Sequence, residues 1–304
     1  MRKPTSKERI EILIPLDRFL LGDNPFIGVN HLSQERSRDT SLGVDAICNV
    51  ITAALESGAQ GLAFSVHPNM YNALKALKER GYDKCFGLYP VFPDAYSNVR
   101  AASEKGMVGL ISDMFGKMDL GTKAKSMVSG GLGALTMDPS RIMRTYLDAQ
   151  LSIFMKVAPA GARLKAVFLH EIITDLIVSF NLREIFLDFV GFVSDSLNAS
   201  PGFVTRNFAR FSEFATGNSK NIVVMTPFNK VGFQMNPSRE ACEKGLAKFP
   251  DSSVIAMSVL ASGYLGLDEA AKYLKTLQKK VSCVVGVSSE VHARETFSYL
   301  KSNL

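Results

Sequence analysis

Short unbroken apolar runs alternate along this chain with stretches whose apolar residues recur every three to four positions. Ala166-Val167-Phe168-Leu169 and Ile222-Val223-Val224-Met225 carry no polar residue, as expected of strands buried on both faces in a parallel sheet covered by helices. Runs of this kind predict strands at Phe19–Gly22, Gly61–Val66, Cys85–Tyr89, Val108–Ser112, Leu164–Leu169, Ile222–Thr226, Val254–Ser258 and Cys283–Val287. Helical periodicity fills the intervals. Val44–Ser57 gathers Ile47, Val50, Ile51, Ala54 and Leu55 on one face before Gly58, and Met70–Arg80 gathers Ala73, Leu74 and Leu77 before Gly81. Further helices are predicted at Tyr96–Lys105, Asp268–Gln278 and Glu290–Leu300. A helix that ends at glycine and is followed by a strand is the signature of a βαβ unit.

Strands alternating with helices in this number point to an α/β fold, a single eight-stranded parallel (β/α)8 barrel spanning residues 1–304. A doubly wound open sheet is the alternative. Long loops are expected after strands 1 and 4, at Pro25–Leu42 and Met114–Met137, the latter with Gly130-Gly131-Leu132-Gly133. Their length and glycine content suit lids over a site. A helical insertion is expected after strand 5, at about residues 171–220. There Leu182, Ile185, Phe186, Phe189, Val190 and Val193 repeat at helical spacing, and Phe203, Phe208, Phe211 and Phe214 line a further helix. A phenylalanine stripe of this kind belongs to a core or to a subunit interface, so self-association through the insertion enters as an expectation.

Composition narrows the function classes. Hydrophobic residues make up 46% of the chain and charged residues 21%, ordinary values for a globular protein with a large core. The net charge of +6 is spread over scattered lysines with acids between them, which argues against nucleic-acid binding. No run approaches the roughly 20 apolar residues of a membrane span, and the polar, charged N-terminus does not resemble a secretory leader. The four cysteines, Cys48, Cys85, Cys242 and Cys283, form no CxxC pair, and read as buried thiols of a cytoplasmic protein.

In a barrel of this class, polar residues just after the strands face the mouth, where the active site is built. That position is held by Asp23 and Asn24, with Asn30 and His31 further along, then Ser65 and His67, Tyr89, Ser112 and Asp113, His170 and Glu171, Asn229 and Lys230, Ser258, and Ser288 and Ser289. Three of the four histidines fall at or near strand ends, and imidazole and carboxylate are the usual general acids and bases. His170 or Glu171 is therefore the expected base, with Asp113 and His67 as partners. His292 reads as a surface residue. A metal set of His67, His170 and Glu171 with Asp23 or Asp113 is conceivable for a divalent ion. Two considerations oppose it: no HxH or HExxH motif is present, and neighbours on an extended strand face opposite ways. Ser288-Ser289-Glu290 reads as a turn opening a helix, whose free N–H groups suit an anion. Ala261-Ser262-Gly263-Tyr264 reads similarly after the seventh strand. Ser262, Gly263, Asp23, Asn24 and Lys230 complete the expected ligand-binding set, with Lys230 as an anion contact or, less simply, a Schiff-base lysine.

The tail Val284–Glu290, with Gly286-Val287-Ser288-Ser289, is similar to the phosphate-gripping end of aldo-keto reductases. Phe64 to Tyr71 resembles their second strand, which carries an aspartate and, a few residues later, a tyrosine. Ser65 stands at the aspartate's place and Tyr71 near the tyrosine's, while the third and fourth predicted strands end in Tyr89 and Asp113 rather than in lysine and histidine. The expected function is an enzyme of lyase or isomerase type acting on a small anionic, phosphorylated metabolite at the barrel mouth. Three alternatives stand beside it: a metal-dependent hydrolase, a nicotinamide-dependent reductase of the aldo-keto-reductase type, and a non-catalytic scaffold. No cofactor is required by the sequence.

Overall fold

The computed structural model describes residues 14–28, 42–93, 139–218, 222–250 and 253–304. Nine parallel strands run through it: β1 (Phe19–Gly22), β2 (Gly61–Ser65), β3 (Phe86–Phe92), β4 (Ala162–Leu164), β5 (Ala166–Leu169), β6 (Ser200–Val204), β7 (Val223–Pro227), β8 (Val254–Met257) and β9 (Ser282–Gly286). Each pairs with the next around the sheet, and pairing of β2 with β3 closes the ring. β4 and β5 are two pieces of one strand. Both lie along β3, with Phe86 opposite Ala162 and Phe92 opposite Leu169, and Lys165 between them still donates its N–H to Leu88 O. The molecule is thus a closed eight-stranded (β/α)8 barrel.

The helices are α1 (Val44–Ser57), α2 (Pro68–Glu79), α3 (Pro139–Val157), α4 (Glu171–Ser179), α5 (Arg183–Ser196), α6 (Phe208–Phe214), α7 (Arg239–Leu246), α8 (Leu267–Thr276) and α9 (Glu290–Asn303). The two-residue side-chain period of the strands divides the core. Leu20, Ala63, Tyr89, Val91, Ala166, Phe168, Met225, Ile255 and Val284 fill the barrel's interior. Their alternates, such as Leu21, Leu88, Val167, Leu169, Val224 and Val285, pack outward against the helices.

Two expectations change here. The segment expected as a helical insertion holds α4, α5 and α6, but also β6, a full member of the ring between β5 and β7. Pro201-Gly202 hides that strand, because both residues are poor strand formers. Its glycine is required by a close approach: a Cβ on Gly202 would lie 2.4 Å from the Phe168 ring. The expected strand at Val108–Ser112 lies outside the described residues, as do the helix at Tyr96–Lys105 and the loop Met114–Met137. Because β3 pairs directly with β4 and β5, the fourth strand around the ring is 162–169.

Phe186, Phe189, Phe203, Phe208, Phe211 and Phe214 are all buried; Phe186 stacks on Phe203 at 4.8 Å, Phe189 and Phe211 meet the same Phe203 ring, and Phe208 packs on Phe228 and Phe249. They form core between β6 and its helices. What α4 and α5 turn outward is Ile172, Leu176, Phe180 and Leu187. Cys48, Cys242 and Cys283 are buried, Cys85 is exposed, and all four are free thiols. Among the described residues, no helix is long and apolar enough to cross a membrane.

Candidate active site at the barrel mouth

A cavity of about 890 Å³ opens at the C-terminal ends of the strands. Its floor is Ala63, Val91, Val204, Met225, Met257 and Val284, the last inward-facing side chains before the mouth. Around the rim stand Asp23, Asn24, Ser65, His170, Glu171, Arg206, Gln234, Ser258, Ser262, Gly263, Ser288 and His292.

His170 follows β5 and caps α4. Its Nδ1 accepts the N–H of Ile172 at 3.3 Å, and its own N–H donates to Phe92 O on β3. A ring whose Nδ1 accepts a hydrogen bond carries its proton on Nε2 when neutral. The tautomer is therefore set by the fold, leaving an N–H donor on the far side of the ring. His67 caps α2 in the same way, Nδ1 accepting from Asn69 N at 3.1 Å, but it does not line the cavity. Sequence grouped these two histidines as chemical partners; the structure gives them a shared capping role and brings only His170 to the mouth.

Glu171 Oε2 lies 2.8 Å from Arg206 Nε. Arg206 sits two residues past the end of β6 and is a site residue the sequence reading missed. Its signal was a polar residue following a strand, and the strand itself went unseen. Beside this pair, Asp175 Oδ1 accepts from Thr205 Oγ1 at 2.8 Å. Burial pushes the Asp175 carboxyl above its ordinary range, against the Thr205 hydrogen bond; the charge of Glu171 adds to the rise and that of Arg206 opposes it.

Asp23 is buried, with Oδ2 accepting from Ser65 N at 2.7 Å, so it ties the ends of β1 and β2 together at the rim. Asn229 is likewise structural, bonded through its side chain to both N and O of Phe233. Lys230 points away: it is half-exposed, its Nζ 3.0 Å from Glu269, and it does not line the cavity. Tyr89 lies in the middle of β3, fully buried, its hydroxyl accepting from Asp17 N at 2.8 Å; it does not line the mouth. Tyr71 packs on Phe154 in a separate groove between α2 and α3. Asp113, Asn30 and His31 lie outside the described residues. No group of three His, Cys, Asp or Glu among the described residues is placed to hold a metal ion.

The far wall is polar. Ser258 has a φ of 52°, and the consecutive Ala261, Ser262 and Gly263 have φ of 46°, 57° and 88°, left-handed backbone that non-glycine residues adopt only where their surroundings impose it. Facing it, Ser289 Oγ caps α9 by accepting from His292 N at 3.3 Å, with Ser288 on the cavity. His292, expected at the surface alone, is exposed and also lines this rim.

Fold and site together define a (β/α)8 barrel with a large polar mouth. No family model matches the chain, and no curated protein matches it. Two solved structures of a "putative aldo-keto reductase" from Pseudomonas aeruginosa share the architecture. One has a TM-score of 0.55 at 12% identity, covering 94% of this chain and 90% of that one. The other has a TM-score of 0.54 at 12% identity, covering 98% and 99%. At this identity the likeness is one of fold. With 162–169 as the fourth strand of the ring, the residue after that strand is His170, in place of the expected Asp113. The third strand ends at Phe92-Pro93 and supplies no lysine.

Proposed function

We propose that the barrel mouth is the active site of an oxidoreductase that reduces the carbonyl group of a small molecule. The observation that carries this reading is His170: it follows the fourth strand of the ring, lines the cavity, and caps α4 through Nδ1, which in the neutral ring puts the proton on Nε2. An N–H in a fixed direction is suited to hold a carbonyl oxygen as negative charge develops there; the neutral imidazole keeps this proton, and the alkoxide takes its own from solvent.

The residues fit a nicotinamide dinucleotide on the opposite wall. There Ser288, the N-terminal turn of α9 and the left-handed residues Ser258 and Ala261–Gly263 form a concave lip, and helix N-termini and such backbone concavities favour phosphate. When bound, the reduced nicotinamide supplies the hydride. The chain's own part is to orient the carbonyl oxygen on His170, to exclude water with the floor of Val91, Val204, Met225 and Val284, and to keep Glu171 and Arg206 as a paired charge beside the reacting group.

Oxidation of NADPH on addition of small aldehydes and ketones tests the reading. His170→Gln is expected to lower turnover by a factor of 10² to 10⁴ with the fold intact by circular dichroism. Unchanged turnover in that variant would sink the assignment. A lyase or isomerase remains the second reading, favoured by Glu171 standing beside His170 at the rim as a carboxylate base. It is recognised by cofactor-free exchange of a substrate's α-hydrogen for deuterium.

A further inference from the structure

We infer that Arg206 selects the substrate class of this site: carbonyl compounds that carry a carboxylate, with the carboxylate on the Arg206 guanidinium and the carbonyl oxygen on His170. The inference rests on the carbonyl reading above and deepens it.

Four observations support it. Arg206 is the one arginine or lysine among the described residues that line the mouth cavity, so an anion entering there has a single full positive charge to meet. Its contact with Glu171 is made through Nε, on the flank of the guanidinium. That nitrogen is buried, whereas the side chain as a whole keeps 32% of its surface exposed. The exposed part therefore lies elsewhere on the side chain, and an arginine whose carboxylate partner lies beside Nε still has the Nη1–Nη2 edge, a fork that matches a carboxylate with two parallel hydrogen bonds. Finally, the two anchors come from adjacent strands, His170 after β5 and Arg206 after β6. Neighbouring strands are spaced by roughly 5 Å, which suits a short acid.

Glu171 gives this arrangement its order. A partly exposed ion pair contributes little to folding, so stability does not explain why this pair stands on the cavity wall. Its effect is to hold a long, flexible side chain in one place, reducing the ordering cost of ligand binding. The site so described takes its anion on a side chain, on the wall opposite the serine and glycine loops that the sequence singled out.

The experiment uses the full chain and two probes, 4-carboxybenzaldehyde and 4-formylbenzamide, which have the same shape and differ in charge. Binding is read by calorimetry without cofactor, and turnover by NADPH oxidation. Wild type is expected to bind the carboxylate tighter, by a factor on the order of 100. Arg206→Gln should bring the carboxylate down to the amide's affinity, with the effect in KM rather than kcat. Arg206→Lys, which keeps the charge without the fork, should restore part of the preference. Melting temperature and circular dichroism confirm that each variant is folded. Equal affinity for both probes in wild type, or a preference that survives in Arg206→Gln, overturns the inference. Reduction of both probes at equal efficiency overturns it while leaving the carbonyl reading intact. Arginine-dependent binding of the acid without any NADPH oxidation upholds Arg206 as the anion anchor and overturns the reductase reading.

Discussion

Asp17 and Tyr89 meet at the end of the barrel opposite the mouth, where a single carboxylate is enclosed by strands. Asp17 N donates to the Tyr89 hydroxyl, and Asp17 Oδ2 stands where a Cβ on Gly61 or Gly87 would fall, 2.9 and 1.9 Å away. The Tyr89 ring would meet the same two Cβ atoms, at 2.8 and 2.7 Å, so both strand glycines make room for the Asp17–Tyr89 contact. Burial pushes the Asp17 carboxyl above its ordinary range, opposed by the Tyr89 hydrogen bond and by the charge of Lys165. The sign of the linkage follows. A carboxyl whose folded pKa is raised binds its proton more tightly in the folded state, so its contribution is fully present below the unfolded value and is lost as pH rises through the folded one. Asp17→Asn should therefore flatten the fall in melting temperature as pH rises above the ordinary carboxylate range of about 4 and should not be less stable than wild type at neutral pH. A steeper profile in the variant would contradict this account. At the mouth the same scale separates His170 from His67. Both have an Nδ1 that caps a helix, and only the cavity distinguishes a residue with an additional task.

Helix starts link element stability to the site. α2, α4, α7 and α9 each begin with a side chain accepting a backbone N–H: His67, His170, Ser238 and Ser289. Three of these caps, His67, His170 and Ser289, are also residues that the sequence proposed for the site. For Ser289 the cap accounts for the side chain's observed hydrogen bond, and Ser289→Ala is expected to cost about 1 kcal/mol of stability, a fall of roughly 2 °C in melting temperature, with or without ligand. A variant stable alone but losing the shift induced by added NADPH would instead place the hydroxyl on the ligand. Element boundaries followed the hydrophobic pattern closely where propensity and burial agree. α1 spans the expected Val44–Ser57, and β1 the expected Phe19–Gly22. β3 runs on to Phe92, past the expected end at Tyr89, because Pro90 did not stop it: its neighbours Val91 and Phe92 still pair with β5.

At the scale of the whole molecule, the barrel closes around an interior in which small residues on one strand receive large ones from the next. Gly202 on β6 against Phe168 on β5 is the sharpest case. Gly202→Ala should destabilise the protein by about 1–3 kcal/mol, since the Phe168 ring has to leave its position to admit a methyl group. Chemical denaturation measures this, and a neutral outcome would mean that the interior can shift more freely than its packing indicates. The same closure decides the order of strands at the mouth. Inclusion of β6 places Arg206 on the rim beside Glu171, and direct pairing of β3 with β4 and β5 gives the fourth position in the ring to the strand that precedes His170.

Periodicity and composition by themselves determined the class of fold, most strands and helices, and the strand-end placement of His170, Glu171, Ser288 and Ser262, because a side chain's alternation between core and water is written locally. Three things were decided only by tertiary structure. β6 exists because burial on both faces and the Phe168 ring outweigh the poor strand propensity of Pro201-Gly202. Lys230 turns to Glu269 and Tyr89 to Asp17, because each side chain goes to the partner that packing brings near. The Glu171–Arg206 pair joins residues 35 positions apart, and such a meeting depends on which strands become neighbours when the ring closes.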